Sequence, residues 1–387
     1  MFLTASRIHD GRNWLSEGAV IELSDDGTVI AIHGAEMADR AVFYDGVLAP
    51  GLVNAHCHLE LSHMKGAIPE HTGLVPFLQQ VMFKRNGFSE EEKYTARHAA
   101  YEELVRNGVV AVGDIANGTD TLDLRAQDRL HIHTFVEAIG FTDTDAQDRF
   151  NFSKQVHKAF AAQQPGEKQL QQSIVPHAPY SVSEALFRLI DKDGEGAVIS
   201  IHNQETAAED QYYISKEGAV NDLLKSLNID DSFFVPSGKS SLKTYIEWIA
   251  SQRPVLFVHN TFTANDDLDM VKSRGQQAFW CLCPNANLYI ENRLPDVMMM
   301  TGAGAEICIG TDSLSSNHKL CVLSELVTLK QHLPQLDWET LLHWATHNGA
   351  KAIGMEDKLG SIAAGKKPGV VQLTGLDSEA PAVKRIM

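Results

Sequence analysis

The chain has 387 residues, enough for two or three domains or for one α/β barrel with an appended domain. Its 33 basic and 50 acidic residues give a formal net charge of -17, which argues against non-specific binding to nucleic acid and to anionic membranes. No apolar run is long enough to cross a bilayer, and the first residues lack the features of a signal peptide. The five cysteines are scattered, which is typical of reduced thiols and predicts a cytoplasmic protein.

The two ends of the chain have the pattern of short strands. Residues 20–23 and 28–32 flank the turn Ser24-Asp25-Asp26-Gly27, which predicts a hairpin. After Gly354 the chain returns to short strands, near 369–373 and 384–387. We expect residues 1–50 and 355–387 to form together one small β-sandwich domain.

Between these ends, apolar strands alternate with helices, one of which begins at the capping box of Ser89 and Glu92. The strand candidates are residues 52–56, 109–115, 132–139, 173–176, 198–202, 255–259, 278–283 and 307–310. This alternation predicts an α/β fold, a (β/α)8 TIM barrel, over residues 51–354. A doubly wound α/β fold is the main alternative. The chain has no G-x-G-x-x-G after a strand, which weakens a dinucleotide-binding version of that alternative.

Polar residues stand at the carboxyl ends of five predicted strands, where TIM barrels carry out their chemistry. The first strand ends in His56 and His58, whose side chains point to the same face because they are two positions apart. The fourth, fifth, sixth and eighth strands end, in that order, in His177, His202, His259 and Asp312. A His-x-His pair alone is weak, and His131-Ile132-His133 is a second such pair without the same context.

Three histidines and a carboxylate suit one divalent metal ion. We expect His56, His58, His202 and Asp312 to bind Zn²⁺, although Fe²⁺ or Mn²⁺ would also fit this donor set. Such an ion leaves a position for water and lowers the pKa of that water from 15.7 to about 7.

Two further residues are placed to move protons around that water. Glu205 comes three residues after His202, an offset that can return its carboxyl to the pocket as a proton carrier. His259 is expected to hydrogen-bond the metal-bound water, and Asp312 to accept its proton.

These segments resemble those of the amidohydrolase superfamily, and within it the branch of guanine, S-adenosylhomocysteine and aminofutalosine deaminases. The resemblance is carried over nearly the whole chain by PGLVNAHCHLELSH, HAPYSVSEAL, SIHNQETAAE, FVHNTF, CLCPNANL, IGTDSLSSN and LGSIAAGKK. It implies that the metal ligands are His56, His58, His202 and Asp312. It also implies that Glu205 and His259 handle protons and that His177 contacts the substrate.

The resemblance also implies a single metal and a reaction. Superfamily members with two metals carry a carboxylated lysine at the end of strand four, whereas here Lys168 precedes that strand and His177 ends it. The deaminase arrangement implies attack of water on a C–NH₂ carbon of a heterocycle and loss of ammonia. Glu205 would protonate the ring nitrogen, and Asp312 would relay a proton to the departing amine.

The substrate implied by the resemblance is a purine-like base or nucleoside. The segment Asn54-Ala-His-Cys-His-Leu-Glu-Leu-Ser62 is most similar to aminofutalosine deaminases of menaquinone biosynthesis. Deamination of S-adenosylhomocysteine, methylthioadenosine or guanine remains open, as do a triazine-type chlorohydrolase and a cyclic amide hydrolase. An alternative of another class is a non-catalytic barrel that serves in assembly, which the presence of every candidate ligand disfavours.

Five residues are candidate substrate contacts: His177, Glu60, Tyr180, Asn287 and Arg149. Arg149 is considered for a substrate carboxylate. Asn287 lies in Pro284-Asn-Ala-Asn287, which departs from the Pro-x-Ser-Asn of many relatives. The expected partner is a small molecule, with no nucleic acid or membrane, and the resemblance leaves a homodimer open because barrels of this family often pair.

Overall fold

The computed structural model describes residues 1–194 and 196–387. Its strands are β1 (Phe2–Ile8), β2 (Val20–Leu23), β3 (Val29–His33), β4 (Val42–Pro50), β5 (Leu52–Cys57), β6 (Val109–Ala116), β7 (His131–Ala138), β8 (Leu170–Pro176), β9 (Ile199–Asn203), β10 (Val255–His259), β11 (Ala278–Leu282), β12 (Glu306–Ile309), β13 (Val370–Thr374) and β14 (Ala382–Arg385). All eight strands predicted for the central region are present.

The helices lie mainly between the central strands. They are α1 (Leu74–Lys84), α2 (Glu90–Arg106), α3 (Leu122–Arg125), α4 (Ala146–Ala161), α5 (Glu184–Asp193), α6 (Ala207–Ser215), α7 (Ala219–Ser226), α8 (Ser241–Tyr245), α9 (Asn265–Ser273), α10 (Pro284–Glu291), α11 (Val297–Gly302), α12 (Val322–His332), α13 (Trp338–His343) and α14 (Gly349–Ala352). The predicted capping box is confirmed, since Ser89 and Glu92 exchange hydrogen bonds at the start of α2. Within the described residues, no helix combines the length and hydropathy needed to cross a membrane.

The central strands form two parallel four-stranded sheets, in the orders β5-β6-β7-β8 and β9-β10-β11-β12. The sheets meet near the carboxyl ends of their edge strands. On one side the His202 N–H donates to the His177 carbonyl at 3.0 Å. On the other side the N–H groups of Thr311 and Asp312 donate to the His56 carbonyl at 3.0 and 3.1 Å. The predicted α/β class with parallel strands is confirmed. The eight central strands form two sheets, which are joined by these hydrogen bonds at the strand ends.

Both faces of the central strands are buried, as expected when helices cover a parallel sheet. Every residue of β5, β6, β7, β9 and β10 is buried. Inward-facing apolar residues such as Ala55, Phe135 and Val258 fill the space between the two sheets. The strand ends are therefore held in a rigid, dry frame.

The terminal strands form one six-stranded sheet in the order β14-β13-β4-β1-β2-β3. Strands from both ends of the chain share this sheet, and β2 and β3 form the predicted hairpin. The predicted sandwich is not confirmed, because β13 joins the edge of β4 instead of building a second layer. The division at residues 50 and 355 stays a prediction.

Gly113 allows β5 and β6 to approach closely. A Cβ at this position would lie 2.3 Å from the Ala55 carbonyl oxygen and 2.9 Å from the ring of Phe135. We expect Gly113→Ala to lower the free energy of unfolding by about 1–3 kcal/mol through overpacking, measured by urea denaturation. Gly302→Ala is the matched control, since a Cβ there meets nothing within 4 Å. An unchanged urea midpoint for Gly113→Ala would contradict the packing described here.

Candidate active site

Three imidazoles and one carboxylate converge where the two sheets meet. Nε2 of His58 lies 3.1 Å from Nε2 of His56 and 3.3 Å from Nε2 of His202. Oδ1 of Asp312 lies 3.4 Å from Nε2 of His58 and 3.7 Å from Nε2 of His56. The four residues predicted as one group from the ends of three strands are thus brought together.

These separations fit a metal ion. Four atoms bound tetrahedrally at zinc–ligand distances lie about 3.3 Å from one another. A neutral imidazole has only one donor and one acceptor, so three nitrogens this close cannot satisfy each other by hydrogen bonding alone. The ligand atoms of His259 are also near, since His56, His202, His259 and Asp312 have atoms within 4.8 Å of one another. The donor set is suited to a divalent cation.

Burial sets the charge of this group. Desolvation lowers the pKa of His56, and lowers the pKa values of His58 and His202 still further, so these rings are neutral and keep a lone pair. Burial acts to raise the pKa of Asp312, but the hydrogen bond with His56 and the nearby histidines outweigh it and hold that pKa below its usual value. Neutral imidazoles and an ionised carboxylate are the forms that bind a metal.

Neighbouring groups orient two of these side chains. Nδ1 of His202 donates to the His177 carbonyl at 2.8 Å, so Nε2 presents its lone pair to the group. Asp312 has a left-handed backbone with φ of 55°, and its Oδ2 accepts a hydrogen bond from the Ser316 hydroxyl. Thr311, the residue before Asp312, is held by Asn54. The Asn54 side chain accepts a hydrogen bond from the Thr311 N–H at 3.1 Å and donates one to the Thr311 hydroxyl at 2.7 Å.

His259 and Glu205 lie next to the convergent group. Nε2 of His259 is 3.7 Å from Oε1 of Glu205, and both side chains line the same cavity. Burial raises the pKa of Glu205 well above its usual value, and the charge of Asp312 adds to that effect. A carboxyl group that keeps its proton beside a cavity is suited to donate it to a substrate.

Asn287 lies behind His259 and does not line this cavity. Its Oδ1 is 3.2 Å from Nδ1 of His259, and its Nδ2 donates to the Thr261 hydroxyl at 2.7 Å. His259 has a left-handed backbone with φ of 73°, which a non-glycine residue adopts at some energetic cost. The structure therefore places Asn287 as a support for the His259 ring, in contrast to the predicted substrate contact.

A cavity of about 1040 Å³, its mouth included, unites most of the predicted residues. Those that line it are His58, Glu60, His177, Tyr180, His202, Glu205, His259 and Asp312. Glu60 accepts hydrogen bonds from the Arg85 guanidinium at 3.1 Å and from the Asn117 N–H at 2.9 Å. Nδ1 of His177 pairs with the Ser181 hydroxyl at 2.7 Å, and burial lowers the pKa of His177 to about 4.

Arg149 does not belong to this group, and its predicted role toward a substrate carboxylate is not supported by its position. It lies on α4 with 57% of its side chain exposed and pairs with Asp145 one helical turn away, at 3.2 Å. Among the described residues that line the cavity, the one Arg or Lys is Arg85. Arg149 lies on the solvent-facing side of α4, and the sequence pattern alone did not show which way this side chain faces.

Sequence reasoning missed Glu137 on β7. Its Oε1 lies 3.4 Å from Nδ1 of His202, and its Oε2 accepts a hydrogen bond from Asn117 Nδ2 at 2.9 Å. Burial raises the pKa of Glu137 to about 8. A carboxylate next to the carboxyl end of a predicted strand was the available signal, of the same kind that singled out Asp312. By contrast, His133 of the second His-x-His pair hydrogen-bonds the Ile353 carbonyl and the Ser173 hydroxyl, both outside the convergent group.

Several curated proteins with related sequences are named as deaminases. A Helicobacter pylori adenosine deaminase is 28% identical over 84% of this chain and 78% of its own. An aminodeoxyfutalosine deaminase of Deinococcus radiodurans is 26% identical over 83% of this chain and 76% of its own. A 5-methylthioadenosine/S-adenosylhomocysteine deaminase of Desulforudis audaxviator is 23% identical over 92% and 79%.

Solved structures share the fold over nearly the whole chain. The H. pylori aminofutalosine deaminase in complex with methylthio-coformycin superposes with a TM-score of 0.84 at 23% identity, covering 100% of both chains. A Xanthomonas campestris adenosine deaminase with bound zinc has a TM-score of 0.76 at 22% identity, covering 98% of this chain and 86% of its own. The sequence pattern of the amidohydrolase family matches residues 47–382. This chain therefore belongs to the amidohydrolase family, in its deaminase branch, as a hydrolase of carbon–nitrogen bonds.

Proposed function

We propose that this protein is a metal-dependent hydrolytic deaminase that releases ammonia from an adenosine-like nucleoside, with aminofutalosine as the preferred candidate substrate. One observation carries the proposal. Three neutral imidazoles and an ionised carboxylate meet at one end of a cavity, and a buried carboxyl group and a fourth imidazole stand beside them. This set combines a metal site with residues able to move protons, which hydrolytic deamination requires.

His56, His58, His202 and Asp312 would hold one divalent ion. Zn²⁺ is favoured by the histidine-rich donor set and by the zinc bound in the X. campestris adenosine deaminase, while Fe²⁺ and Mn²⁺ fit as alternatives. When bound, such an ion supplies an activated water by lowering its pKa to about 7. No carboxylated lysine can join from the end of β8, since His177 occupies that position, and this favours one ion over two.

The side chains around the ion would divide the proton transfers. Glu205 lines the cavity and would donate to a ring nitrogen of the substrate, which makes the amine-bearing carbon more electrophilic. Asp312 would take up a proton from the attacking water and pass it to the departing amine. His259, supported by Asn287, would orient the water, and His177 would contact the substrate ring.

The substrate class rests on the relatives and on the cavity. Enzymes named for adenosine, aminodeoxyfutalosine and methylthioadenosine/S-adenosylhomocysteine all match most of the chain. Aminofutalosine deamination, a step of menaquinone biosynthesis, is preferred because the enzyme named for it has the same fold over all of this chain. S-adenosylhomocysteine, methylthioadenosine and guanine are the alternative substrates.

The same proposal extends to domains and location. Residues 51–354 would form the catalytic (β/α)8 barrel, closed by the strand-end bonds at His56 and His177. Residues 1–50 and 355–387 would form the small β domain. The five cysteines are unpaired and buried, which favours the cytoplasm, where thiols stay reduced.

The first prediction concerns Glu205. Glu205→Gln keeps the size of the side chain but removes its acidic proton, so we expect kcat to fall at least about 10²-fold with metal content unchanged. Steady-state ammonia release and metal analysis measure the two effects. Glu184→Gln is the control, because Glu184 is 49% exposed and pairs with Arg188 on the surface. Near-normal turnover of Glu205→Gln would contradict its role as proton donor.

The second prediction concerns Asp312. Asp312→Asn removes the negative charge from the metal site, and we expect a lower metal-to-protein ratio after dialysis together with loss of ammonia release. Asp266→Asn is the matched control, since Asp266 is 69% exposed, pairs with Lys243 and does not line the cavity. One full equivalent of retained metal with unchanged activity would show that another carboxylate holds the ion.

The third prediction concerns the substrate. We expect the zinc-loaded protein to release ammonia from aminofutalosine with a higher kcat/KM than from S-adenosylhomocysteine, methylthioadenosine, adenosine or guanine. A higher kcat/KM for another member would replace aminofutalosine and keep the deaminase. Absence of ammonia from every member, with metal bound, would contradict the proposed reaction.

A further inference from the structure

Glu205 lies in the short segment that joins β9 to α6, and the residue before it has an unusual backbone. That residue, Gln204, is fully buried and left-handed, with φ of 44°. A residue with a side chain adopts this conformation at some energetic cost, so contacts around it have to hold it in place. The direction in which the Glu205 side chain leaves the main chain therefore depends on what fixes Gln204.

Both backbone groups of Gln204 are held by hydrogen bonds. Its N–H donates to Oε1 of Glu209 at 3.0 Å, and Glu209 is itself fully buried on α6. Its carbonyl accepts a hydrogen bond from the Phe262 N–H at 3.0 Å, in the segment that follows β10 and His259. Gln204 thus joins the segment that carries Glu205 both to α6 and to the segment that leaves His259.

The side chain of Gln204 is held from other directions. Its Oε1 accepts a hydrogen bond from the Thr263 hydroxyl at 2.8 Å. Its Nε2 donates to the carboxylates of Asp210 and Asp267, at 3.1 and 3.0 Å. Every polar atom of Gln204 therefore has a partner among the described residues, and the partners belong to α6, to α9 and to the segment between β10 and α9.

Glu209 supplies the contact to the Gln204 N–H from outside the cavity. It is not among the described residues that line the cavity, so it has no direct contact with a substrate there. Burial raises the pKa of Glu209 well above its usual value, and the charge of Asp210 adds to that effect. Its Oε1 also accepts a hydrogen bond from the Ser241 hydroxyl. Without the Glu209 side chain, the Gln204 N–H would be a buried donor that has lost its acceptor, which is costly.

We propose that Glu209 is a positioning residue, which holds Gln204 in its left-handed conformation and so keeps the Glu205 carboxyl in the cavity beside His259, at 3.7 Å. The inference rests on the proposed deaminase function, in which Glu205 donates a proton to the substrate. When Glu209 is removed, the segment relaxes toward an ordinary backbone conformation and Glu205 moves relative to His259. The effect of Glu209 on the reaction then passes through Glu205.

The test is a double-mutant cycle on kcat for ammonia release by the zinc-loaded protein, with the best substrate among those compared above. Glu209→Ala alone should lower kcat at least about tenfold with metal content unchanged, because a misplaced reacting group loses much of its effect. In a protein that already carries Glu205→Gln, the same change should lower kcat less than about twofold, because the group that Glu209 positions is already inactive. An unchanged kcat for Glu209→Ala, or an equal loss in both backgrounds, would overturn the proposal.

Two single variants on α6 show whether the hydrogen bond to Gln204 is the cause. Glu209→Gln keeps an oxygen that can accept the Gln204 N–H, so it should retain at least about half of the wild-type kcat. Tyr212→Phe is the control, since it removes another hydrogen bond of α6, from the Tyr212 hydroxyl to Asp231, and should leave kcat unchanged. A kcat as low as that of Glu209→Ala in either variant would overturn the role assigned to this hydrogen bond.

A variant on the other side of Gln204 serves if Glu209→Ala does not fold. Thr263→Val has nearly the same shape and removes the hydroxyl that donates to the Gln204 side chain. It should lower kcat in the wild-type background and leave it unchanged in the Glu205→Gln background, and equal losses in both would overturn the proposal. Ammonia from no substrate with the wild-type protein would overturn the proposed function and this inference with it.

Discussion

The backbone carbonyl of His56 accepts hydrogen bonds from both Thr311 and Asp312, and the geometry of the candidate metal centre depends on this junction. It joins β5 and β12, the first and last central strands, which are separated by more than 240 residues of the chain. Because the junction brings Asp312 across from β5, its carboxylate reaches both His56 and His58. A second junction, from His202 to the His177 carbonyl, sets the third imidazole. Backbone hydrogen bonds between sheet edges thus place the side chains that carry the chemistry.

Burial has opposite effects on the two kinds of group at this site, and both effects favour the proposed reaction. It lowers the pKa of the histidines and so keeps their lone pairs available. It raises the pKa of Glu205, and the charges of Asp312 and Glu291 add to that effect, so Glu205 is helped to keep a proton. Asp312 escapes that effect because His56, His58 and His259 face it. A single dry pocket can therefore hold an ionised carboxylate and a protonated one within the reach of one substrate.

The two ends of the cavity come from different parts of the architecture. Strand ends supply the charged and hydrogen-bonding groups, on a frame whose faces are fully buried. Helices α1 and α7, which follow central strands β5 and β9 along the chain, supply apolar side chains to the other end. The reacting groups of the proposed reaction therefore stand on the sheets, and the apolar part of the cavity stands on helices that cover them.

The amino-acid sequence by itself determined the alternation of strands and helices, the hairpin of β2 and β3, and the polar residues at the strand ends. These signals are local, because side-chain period and turn residues depend on near neighbours in the chain. Tertiary structure decided what local patterns do not encode: that Arg149 faces solvent and Arg85 the cavity, that Asn287 supports His259, and that Glu137 stands beside His202. It also decided that the terminal strands share one sheet. Each of these features depends on contacts between residues that are far apart in the chain. Such contacts form only when helices and sheets pack together, so local sequence patterns do not predict them.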